Sequence, residues 1–147
     1  MIVDANILLY AVDSRSVFHE PARNWLEDAL NGPVRIGLPW ASLTAFLRIA
    51  THLRATPRPL APREAWEMAD GWLEAEPAWI PEPTSRHAEV LRGLVVGGDI
   101  RGNLIPDAHL AALAIEHGVG VCSADSDFAR FPQIRWINPV APGAGAY

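Results

Sequence analysis

Residues 102–128 read GNLIPDAHLAALAIEHGVGVCSADSDF, and the reading of this stretch decides the fold. It predicts a helix that starts near Pro106, carries Asp107 in its first turn and stops at Gly118. A short apolar strand, Val119 to Cys122, follows and runs into Ser123, Asp125 and Asp127. Acids therefore stand at a helix start and just past a strand end, two places where a Mg²⁺ site can be assembled. At the other end of the chain, the apolar strand Met1 to Val3 runs straight into Asp4. The two stretches are expected to meet and build one acidic metal site.

Working outward, Asp4-Ala5-Asn6 turns into a helical segment, Ile7 to Val12. A second helix is expected from Glu20 to Leu30, with Pro21 in the first turn, where a missing N–H costs nothing. Val34 to Leu38 fits a second strand. Trp40 to Leu53 reads as a helix apolar on most sides, which should be buried or lie in an interface. Ala55 to Pro62 is a stiff, proline-rich connector. Pro62 to Glu76 is an amphipathic helix, and Trp79-Ile80 a third strand. Thr84 or Ser85 is expected to cap a further helix through Val96. Gly97 to Asn103 is a glycine-rich loop, and Arg135 to Asn138 a last strand. Strands alternating with helices imply a parallel sheet joined by right-handed crossovers, with any site at the carboxyl ends of the strands. The expected organisation is one domain, 1–138, and a flexible tail, 139–147.

Composition narrows the function classes. The chain has 147 residues, half of them apolar, which suits one globular domain. Its single cysteine leaves no intramolecular disulfide. No signal peptide and no membrane-length apolar run are recognisable, so the expected setting is cytoplasmic, without a membrane partner. The net charge of −5 argues against binding nucleic acid through bulk positive charge. Charge is unevenly distributed, however. Residues 29–63 hold only arginines, among them Arg48, Arg54 and Arg58, whereas 64–82 hold only acids. All 12 basic residues are arginine. That usage suits bidentate phosphate contacts and also follows from genomic base composition.

Several carboxylates converging at a sheet edge repel unless a cation neutralises them. Oxygen-only ligands suit Mg²⁺ or Mn²⁺, and no His/Cys constellation suggests Zn²⁺. Such a site suits phosphodiester cleavage by metal-activated water. Each acid also has a structural reading. Asp4 and Asp125 can cap the helices that follow them, and Asp107 and Asp127 can complement first-turn dipoles. Asn6 and Ser123 can orient ligands or serve in ordinary turns. His109 and His117 read chiefly as packing or helix-end residues.

Three segments carry a family resemblance. Met1-Ile2-Val3-Asp4-Ala5-Asn6 resembles the opening of PIN-domain ribonucleases, particularly VapC-type toxins. Pro106 to Ala114 is similar to their central Asp-Ala helix, and Ser123-Ala124-Asp125-Ser126-Asp127-Phe128 to their C-terminal acidic segment. The resemblance implies a three-layer α/β/α fold around a short parallel sheet and a metal-dependent endoribonuclease that cleaves RNA. It further implies a cognate antitoxin and a homodimer. Position by position, Asp4, Asp107 and Asp125 match metal-binding, catalytic acids, and Asp127 a more variable additional acid. Arg48 and Arg54 become candidates for holding RNA phosphates or for receiving antitoxin acids.

One position departs from the pattern. Ala45 stands where many relatives carry a glutamate, and the helix from Trp40 to Leu53 contains no acid. That leaves one or two metals open, with Asp99 as a possible substitute ligand. It also motivates an alternative, a catalytically weak PIN domain acting through protein association. A Mg²⁺ phosphatase fits less well, since no Asp-x-Asp motif follows the first strand.

Overall fold

A computed structural model describes residues 1–143. The chain alternates strands and helices: β1 (Ile2–Val3), α1 (Ala5–Val12), α2 (His19–Leu30), β2 (Ile36–Gly37), α3 (Trp40–Ala50), α4 (Pro62–Leu73) and β3 (Ala78–Trp79). Then come α5 (His87–Gly97), a 3₁₀ turn (Gly102–Leu104), α6 (Ile105–His117), β4 (Val121–Cys122), a second 3₁₀ turn (Ser126–Arg130) and β5 (Trp136–Ile137). The five strands form one parallel sheet in the order β3-β2-β1-β4-β5. From β1 the chain builds outward to β2 and β3, then crosses to β4 on β1's other side. The switch in direction therefore falls between β1 and β4, where open α/β sheets place their ligands.

Side-chain alternation along the strands produces two cores. Ile2 and Val121 face one way and Val3 and Cys122 the other. The first pair packs beneath α5 and α6 with Leu94, Ala111, Leu113 and Phe128. The second packs beneath α1 to α4 with Ile7, Leu26, Phe46 and Ala69. This is the expected three-layer architecture. The sheet's backbone bonds continue past the strands at the carboxyl edge. Asp4 N–H donates to the Cys122 carbonyl at 2.9 Å, and Ser123 N–H to the Ile137 carbonyl at 3.0 Å. Both site segments are thus extensions of the sheet.

Several element boundaries are tighter than the sequence pattern suggests. α3 stops at Ala50, because Thr51 Oγ1 turns back to the Leu47 carbonyl and His52 Nδ1 accepts from the N–H groups of Arg54 and Ala55. Leu53 is left 84% exposed, outside the helix. α4 ends at Leu73, short of Glu76. α5 starts at His87 with no side-chain cap; Thr84 Oγ1 accepts the Arg86 N–H at 3.1 Å in the turn before it and donates to Glu116 across 32 residues. At the C-terminus, Val140 is buried against the α1–α4 side of the sheet, so part of the expected tail is held. Residues 144–147 of that tail lie outside the described residues. Among the described residues, no helix is long and apolar enough to cross a membrane.

α6 ends as its sequence indicates. Gly118 adopts φ 65, ψ 35 and donates its N–H back to Ile115 and Ala114 carbonyls. A Cβ there would meet no neighbour, so only the left-handed backbone opposes a substitution. Gly118→Ala is expected to cost about 1 kcal/mol, read as a lower urea midpoint at unchanged m. An unchanged midpoint would show that the turn relaxes without strain.

Candidate metal centre

β1, β4 and α6 bring the separated acids to one edge of the sheet. Asp107, in the first turn of α6, and Asp125 and Asp127, around the 3₁₀ turn after β4, each offer a carboxylate oxygen within 4.8 Å of the others. Asp4, at the end of β1, stands beside this triad. Its charge acts on Asp107, and the charge of Asp125 acts on it. The expected set of Asp4, Asp107 and Asp125 therefore gathers with one change of emphasis: Asp127 belongs to the tight group and Asp4 is set back. The cause lies in the hydrogen bonds that each acid makes.

Asp4 caps α1, its Oδ1 accepting the Ala5 N–H at 2.8 Å. Its Oδ2 accepts the Ser123 hydroxyl at 2.7 Å and the Asn6 amide at 3.2 Å. Ser123 is fully buried, and its Oγ accepts from Asn6 Nδ2 at 3.1 Å and from Asp125 N–H at 3.0 Å. One donated and two accepted bonds exhaust a hydroxyl. Asn6 Oδ1 takes the Ala124 N–H at 3.1 Å. A single buried hydroxyl thus locks the end of β1 to the end of β4. Capping and site-building coincide in Asp4, whose Oδ1 keeps a lone pair. Asp125 combines the two roles similarly, its Oδ1 accepting the Asp127 N–H at 2.9 Å and fixing the turn that presents Asp127. Trp136 Nε1 donates to the Ser123 carbonyl at 2.9 Å, pinning the same segment from β5.

The electrostatics follow from this crowding. Burial, then the charges of Asp4, Asp125 and Asp127, push the Asp107 pKa up to about 7. Burial also raises Asp4, with Asp125 adding to it, while the bonds from Ser123 and Ala5 pull the other way. The opposite charge nearby is weak: Arg130 Nε lies 3.5 Å from Asp127 Oδ1, and both side chains are largely exposed. A cluster of carboxylate oxygens with surplus negative charge fits a hard divalent cation by donor chemistry.

Other candidate residues lie elsewhere. α3 starts at the carboxyl edge and runs away from it. Arg48 is eight residues past Trp40, about 12 Å along the axis, and Arg54 lies in the turn beyond; both are exposed. Ala45 is half-buried, and α3 brings no carboxylate. Asp99 pairs with Arg101 at 2.9 Å on an exposed loop. His117 serves packing, donating to the Glu82 carbonyl at 2.7 Å and meeting the Trp79 ring edge-on.

A chain of side chains that no local motif announces runs beside α6. Glu116 Oε1 accepts from the N–H and Oγ1 of Thr84, and its Oε2 pairs with His87 Nδ1. His87 Nε2 in turn meets His109 Nδ1 at 3.1 Å. Burial pushes the Glu116 carboxyl up, but the bonds from His87 and Thr84 outweigh it and leave the pKa below its ordinary value. These residues are 22 to 32 positions apart, so only the packing of α5 on α6 shows the connection.

The family profile described as the PIN domain matches residues 1–134. Ribonuclease VapC37 of Mycobacterium tuberculosis (strain ATCC 25618 / H37Rv) is 49% identical over 142 residues, covering 95% of this chain and 97% of that protein. VapC ribonuclease Mb2897 of Mycobacterium bovis (strain ATCC BAA-935 / AF2122/97) is 39% identical over 140 residues, covering 95% of each. Among solved structures, VapBC2 from Rickettsia felis, bound to a DNA fragment from its promoter, superposes with a TM-score of 0.65 at 18% identity. It covers 93% of this chain and 96% of that one. FitAB bound to an IR36 DNA fragment gives 0.60 at 14%, covering 96% of each chain. At these identities the two structures bear on the fold alone.

The Asp107 shift has a definite sign. Its folded pKa of about 7 lies above the ordinary 3.8, so metal-free protein binds the extra proton between those values. This contribution to stability is complete below the lower value and is lost as pH rises through about 7. In EDTA, the melting temperature is expected to fall from about pH 5 to about pH 8, with a shallower fall in Asp107→Asn. Parallel profiles for the two proteins would contradict the assignment.

Proposed function

The chain belongs to the PIN-domain family, and from that premise we propose that it is a metal-dependent endoribonuclease, the toxin of a toxin–antitoxin pair. The relatives named ribonuclease VapC cover nearly the whole chain, so the activity is ascribed to the complete domain. The observation that carries the reading is the convergence of Asp107, Asp125 and Asp127, with Asp4 beside them, at the β1/β4 switch point.

Asp107, Asp125 and Asp127 would hold the cation, with the free lone pair of Asp4 Oδ1 as a further donor. When bound, Mg²⁺ or Mn²⁺ supplies Lewis-acid charge beside the scissile phosphate and acidifies coordinated water. The chain's own residues prepare that chemistry. Ser123 and Asn6 fix the Asp4 carboxylate, and through Asp125 N–H they fix the segment bearing the other two acids. Deprotonated Asp107 completes the negative site, so activity should rise with pH toward neutrality. Arg48 and Arg54 lie away from the acids and suit phosphates farther along the RNA or an acidic partner segment.

The antitoxin is read from the relatives named VapC, which the sequence resemblance pairs with a cognate antitoxin. A homodimer and cytoplasmic location accord with the resemblance. Ala45 keeps one specific competitor in play, a PIN domain that associates without cutting RNA.

Cleavage of single-stranded RNA by antitoxin-free protein separates the two. Asp107→Asn is expected to lower the rate at least about 100-fold with the fold retained, and EDTA to stop it. Ser123→Ala is expected to lower it about 10- to 100-fold, the usual effect of removing a residue that orients ligands. Full activity of Asp107→Asn would overturn the metal-site reading. Wild-type protein that is folded, metal-loaded and inactive on RNA would favour association.

A further inference from the structure

We propose that Arg130 binds the scissile phosphate of the RNA, exchanging the carboxylate of Asp127 for the phosphodiester once the acid cluster holds its cation. The inference rests on the ribonuclease reading and adds to it a substrate-binding residue outside the acids.

The position of Arg130 is set by its neighbours. Phe128 and Phe131 are both buried, with their rings 6.1 Å apart, and the Phe131 N–H donates to the Phe128 carbonyl at 3.1 Å. Both rings belong to the core beneath α5 and α6. The backbone under Arg130 is thus anchored, while the side chain is 61% exposed. Arg130 Nε stands 3.5 Å from Asp127 Oδ1, and Asp127 belongs to the triad whose oxygens lie within 4.8 Å of one another. Among the described residues the guanidinium makes no other hydrogen bond, so both terminal nitrogens remain available as donors.

As a structural pair the contact with Asp127 does little. It is long and largely exposed, a class of ion pair that adds little to stability. It also competes with the role proposed for Asp127, which offers one of the three oxygens grouped for a cation. An Asp127 engaged with a divalent cation has less charge to offer Arg130, which frees the guanidinium for another anion. At this edge that anion is the phosphodiester. A single divalent cation leaves Asp4, Asp107, Asp125 and Asp127 with surplus negative charge, which opposes an approaching phosphate. Among the described residues, Arg130 is the one base within ion-pair distance of the triad. Arg35 and Arg135 immediately precede β2 and β5 and act on the Met1 amino group, at the opposite edge of the sheet. Arg101 is paired with Asp99 at 2.9 Å. A planar guanidinium with two free terminal nitrogens matches two phosphate oxygens in parallel. Held there, it also stabilises the charge that builds on those oxygens in the transition state.

The test reads folding, binding and chemistry separately. A short fluorescein-labelled single-stranded RNA of mixed sequence is titrated by anisotropy with Ca²⁺ in place of Mg²⁺, over a series of NaCl concentrations, and its integrity is checked on a gel. Cleavage of the same strand is followed in Mg²⁺ under single-turnover conditions. Arg130→Ala is expected to keep the melting temperature of the wild type. Its plot of log Kd against log salt should be shallower by about 0.7, the loss of one phosphate contact from a single strand. Its cleavage rate at saturating protein should fall about 100-fold, as when one donor to a developing anion is removed. Arg130→Lys should restore the salt slope, because the charge is kept, and only part of the rate, because the fork is lost. Arg135→Ala, which removes an equal charge at the opposite edge, should change neither. An unchanged slope or rate in a folded Arg130→Ala, or the same losses in Arg135→Ala, would overturn the proposal. If Arg130→Ala weakened binding of a purified antitoxin and left RNA binding and cleavage intact, Arg130 would be a protein contact and the proposal would fall. A shallower slope in Arg130→Ala, from a wild type that cuts no RNA, would support the phosphate contact and refute the nuclease. Cleavage indifferent to Arg130 would do the reverse.

Discussion

Carboxylates crowded onto one edge of a small parallel sheet set the terms for the rest of this fold. Two full charges 4–5 Å apart repel by about 3–4 kcal/mol at an effective dielectric of about 20, before further solvent screening. The chain does not relieve this with bases: the one cation within ion-pair distance of the triad among the described residues is Arg130, on an exposed contact. It absorbs the cost by protonation at Asp107 and by hydrogen bonds at Asp4 and Asp125. It also ties three of the acids to the sheet. The segments that carry Asp4, Asp125 and Asp127 continue the backbone ladder of β1 and β4, and the Ser123 hydroxyl joins the two. A saturated, buried hydroxyl holds geometry that an exposed ion pair could not.

Much of this was legible in the chain because it is encoded locally. A Gly after the helical pattern of 106–117, an apolar run before each of Asp4 and Ser123, and alternating elements suffice to predict a parallel sheet with acids at its carboxyl edge. What the sequence does not carry is which acids meet most closely. Asp4 and Asp127 differ in role because Ser123, across the sheet and more than 100 residues away, occupies Asp4 Oδ2 together with the neighbouring Asn6. Element ends depend on bonds the helical pattern does not display. Thr84 reads as a helix cap but closes the turn ahead of α5 through the Arg86 N–H, and α3 reads as longer until Thr51 and His52 turn back on the backbone. The strands proved only two residues long, a length set by how far the neighbouring ladder extends.

Ala45 gains meaning in this setting. The α3 helix supplies no carboxylate, yet the edge still gathers four acids, because the 3₁₀ turn after β4 swings Asp127 into the group. Negative charge is thereby concentrated on the β4 side. On the β2/β3 side, Trp40 and the Pro81–Pro83 rim with Glu82 line a small cleft, and the arginines lie farther along α3.

The central claim is that these acids form a cation site whose empty state is protonated at Asp107. Calorimetric titration of Mn²⁺, repeated near pH 7 in two buffers of different ionisation enthalpy, tests it directly. The account predicts saturable binding accompanied by release of a substantial fraction of a proton, with the release diminishing at higher pH as Asp107 becomes ionised beforehand. Binding with no proton release near pH 7, or no binding by folded protein, would contradict it.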